Sequence, residues 1–366
     1  MNEPLRLGII GCGSIARAHA IAIRFNADDG LVRCVAAADP DPAALEQFTA
    51  IVGSVDRTYS DGHDVIADPD VDAVVLITPT RFHREYVLAT CAEGKPLFSE
   101  KPLAPTFDVV RELCGAVAAS GIPAQVGFQS RFHPIIRRLR ALVESGELGA
   151  PMGYTLRDDQ YWPTGDIVPG HSSWRSDVAE AGGGALLEHS IHSCDVLAWL
   201  FGPARRVYAT KRHVFGYSVE DTAAMTIEHG NGVVGNLVTV FNGVRGREER
   251  RLEVFFERGA VELTTDFVIG APEDSFMIQR PDTPAERPDL AEMRRDAFVA
   301  DGCDPDRQYY VYQYFAHRAF AMALRNGTAP SPGFADALAA HSIVEAGYRS
   351  CALELPVALD SLEASA

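Results

Sequence analysis

Short unbroken apolar runs recur through the first 128 residues, and stretches of helical character separate them. Leu7, Ile9 and Ile10 make the first run, Leu31 to Ala38 the second, and Asp72 to Thr78 the strongest. Pro96 to Ser99 and Pro123 to Phe128 read the same way, and Thr58-Tyr59 adds a short further segment. A brief apolar run without alternation fits a strand buried on both faces. Helical stretches fall at 17–24, at 41–51 with Ala43, Ala44, Leu45, Phe48 and Ile51 apolar, from His83 to about Cys91, and at about 106–119. Strands alternating with helices predict a parallel, doubly wound sheet of the α/β class. In such sheets ligands bind beyond the carboxyl ends of the strands.

The first run leads into Gly11-Cys12-Gly13-Ser14-Ile15-Ala16 and then a helix. Strand, Gly-x-Gly-x-x-Ala turn and helix in this order form a dinucleotide-binding fingerprint. Gly11 permits the tight turn, Gly13 lets a pyrophosphate approach the backbone, and Ala16 lets the helix pack close. The helix start offers unpaired N–H groups and a positive dipole end to phosphate. The second run ends in Asp39, an acidic residue suited to accept from both ribose hydroxyls and to oppose a 2′-phosphate. Asp39 stands 28 residues beyond Gly11, more than the usual ~20, and the segment 26–30 is read as a loop that absorbs the excess. No Arg follows closely, so NAD is expected over NADP. Gly11, Asp39, Thr78, Pro79 and Lys101 fall on one rim of strand ends, and Cys12, Ser14, Ile15, His83 and Glu100 join them as candidate cofactor contacts.

The pattern changes after about residue 128. A helix reads from Pro134 to Ser145 and is closed by Gly146; a polar, aromatic loop follows at Tyr161-Trp162-Pro163-Thr164-Gly165. After Gly182-Gly183-Gly184, residues 184–201 read as one helix. Alternating runs then occupy 205–214, 219–229, 233–242 and 250–257, with a hairpin signal at Gly230-Asn231-Gly232. Hairpin-linked strands predict an α+β domain with a large open, mainly antiparallel sheet. An open sheet face of that size is expected to be hidden in a homo-dimer or homo-tetramer. The stretch 271–307, rich in Pro, Asp, Glu and Arg, reads as a long surface excursion, and helices follow at about 309–325 and 334–350. The expected boundaries are a dinucleotide-binding domain over 1–127 and a substrate and oligomerisation domain over 128–308.

The chain has 366 residues, which suits two domains, and its 47% hydrophobic content suits a sizeable core. A net charge of -17 speaks against nucleic acid and anionic membranes as partners. Seven cysteines stand singly with no Cys-x-x-Cys pair, as expected of reduced thiols in a cytoplasmic protein. A strand begins almost at the N-terminus, so no signal peptide is expected, and no apolar run reaches the ~18 residues of a membrane span.

Two places invite chemistry. Lys101 is fixed between Glu100 and Pro102 at a strand end, where its ammonium group can hydrogen-bond a substrate oxygen. The helix 184–201 carries Glu188 and His192 at i and i+4, with Asp195 on nearly the same face and His189 a quarter-turn away. A carboxylate beside an imidazole sets its tautomer and raises its basicity, as a general base needs. The apolar neighbours Leu186, Leu187, Ile191, Val196, Leu197 and Trp199 mark this helix as buried, and a buried Glu and His need a reason. No His-Glu-x-x-His pattern or cysteine set completes a metal site, so no metal is expected.

Taken together, the glycine turn with His19, then Glu100-Lys101-Pro102, then the run from Gly182 to Asp195 resemble the glucose–fructose oxidoreductase/inositol dehydrogenase (Gfo/Idh/MocA) family in order and spacing. Trp174-Arg175-Ser176-Asp177 and Tyr348-Arg349-Ser350 look familial too, so the likeness covers nearly the whole chain. The resemblance implies a Rossmann domain, an open-faced α/β domain, and final helices (about 309–352) that return to the first domain. It implies that Lys101 and His192 are the catalytic lysine and histidine. The family's usual aspartate, four before the histidine, falls on Glu188, a longer side chain of the same charge. Asp195 matches a further acidic position. The implied activity is NAD-dependent hydride transfer on a hydroxyl-bearing carbon of a polyol, sugar or sugar derivative. Tyr161, Trp162, Trp174 and Arg175 are expected to line the pocket. Two rivals stand beside this reading: an NAD-retaining glycosidase and a non-catalytic regulator that binds NAD and a sugar.

Overall fold

In the computed structural model, which describes residues 3–162, 173–244, 248–265, 274–307 and 311–362, the apolar runs become a parallel sheet. β1 (Leu5–Ile10), β2 (Val32–Ala38), β3 (Arg57–Tyr59), β4 (Ala73–Leu76), β5 (Leu97–Ser99) and β6 (Ala124–Val126) pair in the order β3-β2-β1-β4-β5-β6. Each of these pairings is parallel. Ile9, Val74, Val75 and Leu76 are fully buried, as strands covered on both faces require. The crossovers are α1 (Ala16–Asp28), α2 (Pro42–Val52), α3 (Gly62–Ala67), α4 (His83–Glu93) and α5 (Phe107–Ser120). Asp41 and Asp61 cap α2 and α3 by accepting the amides of Ala43 and His63. The expected loop at 26–30 is a helix end instead: α1 runs on through Asp28 because buried Asn26 donates to the carbonyls of Ala22 and Tyr314.

The chain divides into two compact units. Unit 1 comprises Met1–Gln129, Pro169–Gly182 and Val311–Leu338; unit 2 comprises Ser130–Val168, Gly183–Tyr310 and Ala339–Ala366. Among the late elements of unit 1, α7 (Val178–Ala181) is short, and α10 (Tyr312–Asn326) packs on α1.

Unit 2 holds an eight-stranded sheet among the described residues, in the order β13-β12-β11-β7-β10-β9-β8-β14. Its strands are β7 (Pro151–Tyr161), β8 (Ala204–Arg212), β9 (Thr222–His229), β10 (Val234–Asn242), β11 (Glu249–Phe256), β12 (Gly259–Thr265), β13 (Ser275–Gln279) and β14 (Val357–Ala358). β7 and β10 pair parallel, and the other pairs are antiparallel. The helices are α6 (Pro134–Ser145), α8 (Ile191–Phe201), α9 (Leu290–Ala300) and most of α11 (Phe334–Leu353). On β9 and β10, Met225, Ile227, Leu237 and Thr239 are buried, whereas Thr226, Val234, Asn236 and Val238 are exposed. One face is thus core and the other open.

Three expectations need correction here. Residues 151–161 form the long central strand β7, which the sequence disguised with the charged run Arg157-Asp158-Asp159. The described part of 271–307 is no excursion, because β13 pairs with β12 and α9 follows. The last helix returns to unit 1 only in its first turn: from Ala339 it belongs to unit 2, where Gly347 lies against Met225 and Leu186.

Candidate active site

The glycine turn of unit 1 has the geometry of a phosphate cradle. Gly11 has φ of 94°, and a Cβ there would meet the Ile77 carbonyl and the Thr78 amide at 2.8 Å. Gly13 faces open space, with nothing within 4 Å of where its Cβ would be. Asp39 is fixed at the end of β2: one oxygen accepts the Cys12 amide at 2.7 Å and the other the Asp41 amide at 2.9 Å. The Thr78 hydroxyl, beyond β4, is buried and has no partner among the described residues. Ser14 and Ile15 are exposed at the start of α1, whereas the Cys12 thiol is buried and pushed above its ordinary range by that burial. An open glycine cradle, an orphaned hydroxyl and an anchored carboxylate on one rim fit a dinucleotide. His83 takes a different place: it is buried, and its Nε2 lies 3.0 Å from the Thr78 carbonyl, so it holds the turn Thr78-Pro79 from beneath.

Beyond β5, Glu100 turns its carboxylate into the protein. Its Oε1 meets His19 Nε2 at 3.1 Å and the Gln129 amide, and its Oε2 accepts the Lys101 amide at 3.1 Å. Burial works to raise its pKa, but the contact with His19 and the charge of Lys101 hold it below the ordinary range. Lys101 itself is half-exposed.

In unit 2 the predicted single helix is interrupted. Ala185–His189 form one wide turn, closed by the Ser190 amide donating to the Ala185 carbonyl at 2.9 Å, and α8 starts only at Ile191. Such π-turns are uncommon and concentrate at functional sites. Glu188 lies in the wide turn and His192 in the first turn of α8. Both are buried, at 5% and 8% exposure. Asp195, read as a helper of substrate or histidine, makes a two-pronged pair with Arg131 at 2.6 and 2.7 Å, and both are buried.

The family models locate these units in a known group. Residues 5–128 match the model described as "Oxidoreductase family, NAD-binding Rossmann fold", and residues 136–262 match the "GFO/IDH/MocA C-terminal domain". The inositol 2-dehydrogenase of Burkholderia vietnamiensis is 30% identical over 366 residues, covering 97% of each chain. The chain belongs to the Gfo/Idh/MocA oxidoreductase family. A Bacillus subtilis relative, scyllo-inositol 2-dehydrogenase (NAD(+)), is 26% identical and covers 72% of this chain and 75% of its own. In fold, the chain is similar to levoglucosan dehydrogenase in complex with NADH and levoglucosan, with a TM-score of 0.85, 23% identity, and coverage of 98% of this chain and 100% of the other.

This family member places the expected pocket aromatics unequally. Trp162 is fully buried and packs edge-on to Phe241 and flat on Tyr217, beside Ala185 and Val219, so it is core and not a pocket wall. Tyr161, one residue earlier on β7, takes the opposite face by strand alternation. Trp174 and Arg175 are half-exposed in unit 1, the guanidinium stacked 4.5 Å from the indole centre. Pro163, Thr164 and Gly165 lie outside the described residues.

Two carboxylates that support the wide turn were missed. Asp158, on the inner face of β7, pairs with His189 at 2.8 Å and with Arg250 at 3.3 Å, and accepts the hydroxyls of Ser190 at 2.9 Å and Ser193 at 2.5 Å. Burial penalises its charge, yet Arg250 and His189 hold its pKa well below the ordinary range. Glu220 accepts the amides of Gly184 and Leu186 at 3.0 and 2.9 Å and the Tyr348 phenol at 2.9 Å, capping the wide turn from outside. Gly184 is glycine because a Cβ would collide with the Glu220 backbone. An acidic residue on the inward phase of a strand, as Asp158 is after Tyr154 and Leu156, was the signal available.

Proposed function

We propose that this oxidoreductase oxidises a hydroxyl-bearing carbon of a polyol, sugar or sugar derivative. When bound, NAD supplies the hydride acceptor, held by the glycine turn 11–16, Asp39 and the Thr78-Pro79 turn. His192 takes the hydroxyl proton as general base. Lys101 holds the same oxygen and stabilises charge developing on it. Glu188 orients His192 or binds a neighbouring hydroxyl, and Trp174 and Arg175 contact substrate. The observation that carries the reading is the interrupted helix of unit 2, which buries Glu188 and His192 at 5% and 8% exposure. The relative named inositol 2-dehydrogenase supports the substrate class.

NAD is favoured over NADP because the Asp39 charge is anchored beside the cradle by the Cys12 and Asp41 amides. A homo-oligomer through the unit 2 sheet is supported by exposed Tyr208, Val234, Val238 and Phe255 on its strands. Seven free cysteines support a reducing, cytoplasmic location. The test is a spectrophotometric screen of inositols, sugars, sugar acids and aminosugars with NAD and NADP. Reduction with one class, lost in Lys101→Ala, is expected; full turnover of Lys101→Ala on that substrate rejects the assignment.

A further inference from the structure

His19 lies on the buried face of α1, one turn beyond the glycine cradle, and the function above gives it no task. It is fully buried, as is His317 on α10. His19 Nδ1 lies 2.8 Å from His317 Nε2, and His19 Nε2 lies 3.1 Å from Glu100 Oε1. Glu100 Oε2 in turn accepts the Lys101 amide. Four residues thus form a continuous chain across unit 1 that ends on the backbone of Lys101.

One arrangement of the ring protons fits these contacts. Burial pushes the His317 pKa well below its ordinary value, so His317 is neutral and carries one ring hydrogen. Its Nδ1 has no partner among the described residues, and its ring lies flat on Phe98, 4.6 Å between centres. The hydrogen therefore sits on Nε2, the nitrogen that has an acceptor. His19 Nδ1 accepts it, which leaves the His19 hydrogen on Nε2, the nitrogen 3.1 Å from Glu100 Oε1. The fold makes room for the carboxylate: residue 127 is glycine, and a Cβ there would collide with Glu100 Oε1. The titratable groups facing Glu100 are His19 from α1 and Lys101 from its own turn, with His317 of α10 behind His19.

We infer that His19 and His317 are positioning residues for Lys101: they donate in series to Glu100 and keep its carboxylate charged and fastened to the Lys101 amide. This rests on the catalytic role proposed for Lys101. Without His19, burial dominates at Glu100, the carboxyl takes up a proton at higher pH, and the anchor on Lys101 weakens as pH falls.

The test compares His19→Phe, His19→Gln and His317→Phe in kcat and KM against pH, with NAD affinity measured by titration. His19→Phe is expected to lower kcat about tenfold to a hundredfold at neutral pH with NAD affinity kept. The acid limb of its kcat profile is expected to move up by about one to three pH units. His19→Gln retains an amide donor to Glu100 and restores most of the limb; His317→Phe, which keeps the stack on Phe98, shifts it less. An unmoved limb, or a loss equal at every pH that Gln does not repair, overturns the inference. Nitrogen NMR of the histidine rings gives a reading that needs no turnover. Both rings are expected as Nε2–H tautomers at neutral pH, and Glu100→Gln shifts the His19 signals; independent rings overturn the inference. That reading also stands apart from the proposed function, whose own failure is full turnover in Lys101→Ala. Where His19→Phe does not fold, His317→Phe and Glu100→Gln carry the test.

Discussion

Asp158→Asn removes one negative charge from beside the wide turn and leaves the side chain's shape. Asp158 is 1% exposed and Arg250 9% exposed, so the change strands a buried guanidinium beside His189. Breaking a buried ion pair from one side costs about 3–5 kcal/mol. Ser190 and Ser193 still have an amide oxygen to donate to, so the lower half of that range is expected. The pH dependence follows from linkage. The folded carboxyl titrates well below its ordinary range. Its contribution is therefore fully present above the unfolded value of about 3.9 and is lost as pH falls below it, at about 1.4 kcal/mol per pH unit. The deficit of the variant against the parent is then expected to shrink by about 1.3 kcal/mol between pH 7 and pH 3. Urea titrations at pH 7, 5, 4 and 3, followed by circular dichroism, measure it. A deficit under about 1 kcal/mol at pH 7, or one that does not change with pH, refutes an ionised Asp158 as the organiser of this turn.

Further outcomes follow from other parts of the molecule. Asp39→Ala is expected to weaken NAD relative to NADP in binding titrations; unchanged selectivity rejects Asp39 as the discriminator. Trp162→Ala removes a fully buried indole and is expected to cost about 3–5 kcal/mol in urea unfolding, with KM for the substrate little changed in whatever protein stays folded. Val238→Lys, on the open sheet face, is expected to lower the oligomeric state seen by sedimentation; an unchanged mass places the interface elsewhere.

Legibility in the sequence varied with the kind of force that builds each element. Strands buried on both faces announce themselves, because nothing but apolar residues survives there, and β1, β2 and β4 were readable to within two residues at each end. The glycine turn was readable because Gly11 and Gly13 answer to backbone geometry, which few other residues satisfy. β7 was hidden because Asp158 and Arg157 sit in mid-strand, their charges paired with Arg250 and Glu249 on β11, which is distant in sequence. Local patterning carries no trace of such a partner. The wide turn at Ala185–His189 was hidden for a related reason. It depends on Glu220 and Tyr348, residues far along the chain, to satisfy amides that a regular helix start leaves free. Glu188 and His192 were legible as buried residues; the wide turn and its support by Asp158 and Glu220 were not.

Unit 1 is assembled from three separate stretches of chain, and unit 2 likewise from three. A gene fragment ending near residue 129 would therefore encode the whole parallel sheet yet lack α10, leaving Asn26 and His19 without the partners Tyr314 and His317. Such a fragment would expose a greasy helix face with stranded polar groups, a poor candidate for expression by itself. Recombination between relatives meets the same obstacle. Exchanging one unit intact takes matched splices at several points of the coding sequence, so new specificities reach this architecture more readily through scattered substitutions than through shuffled halves.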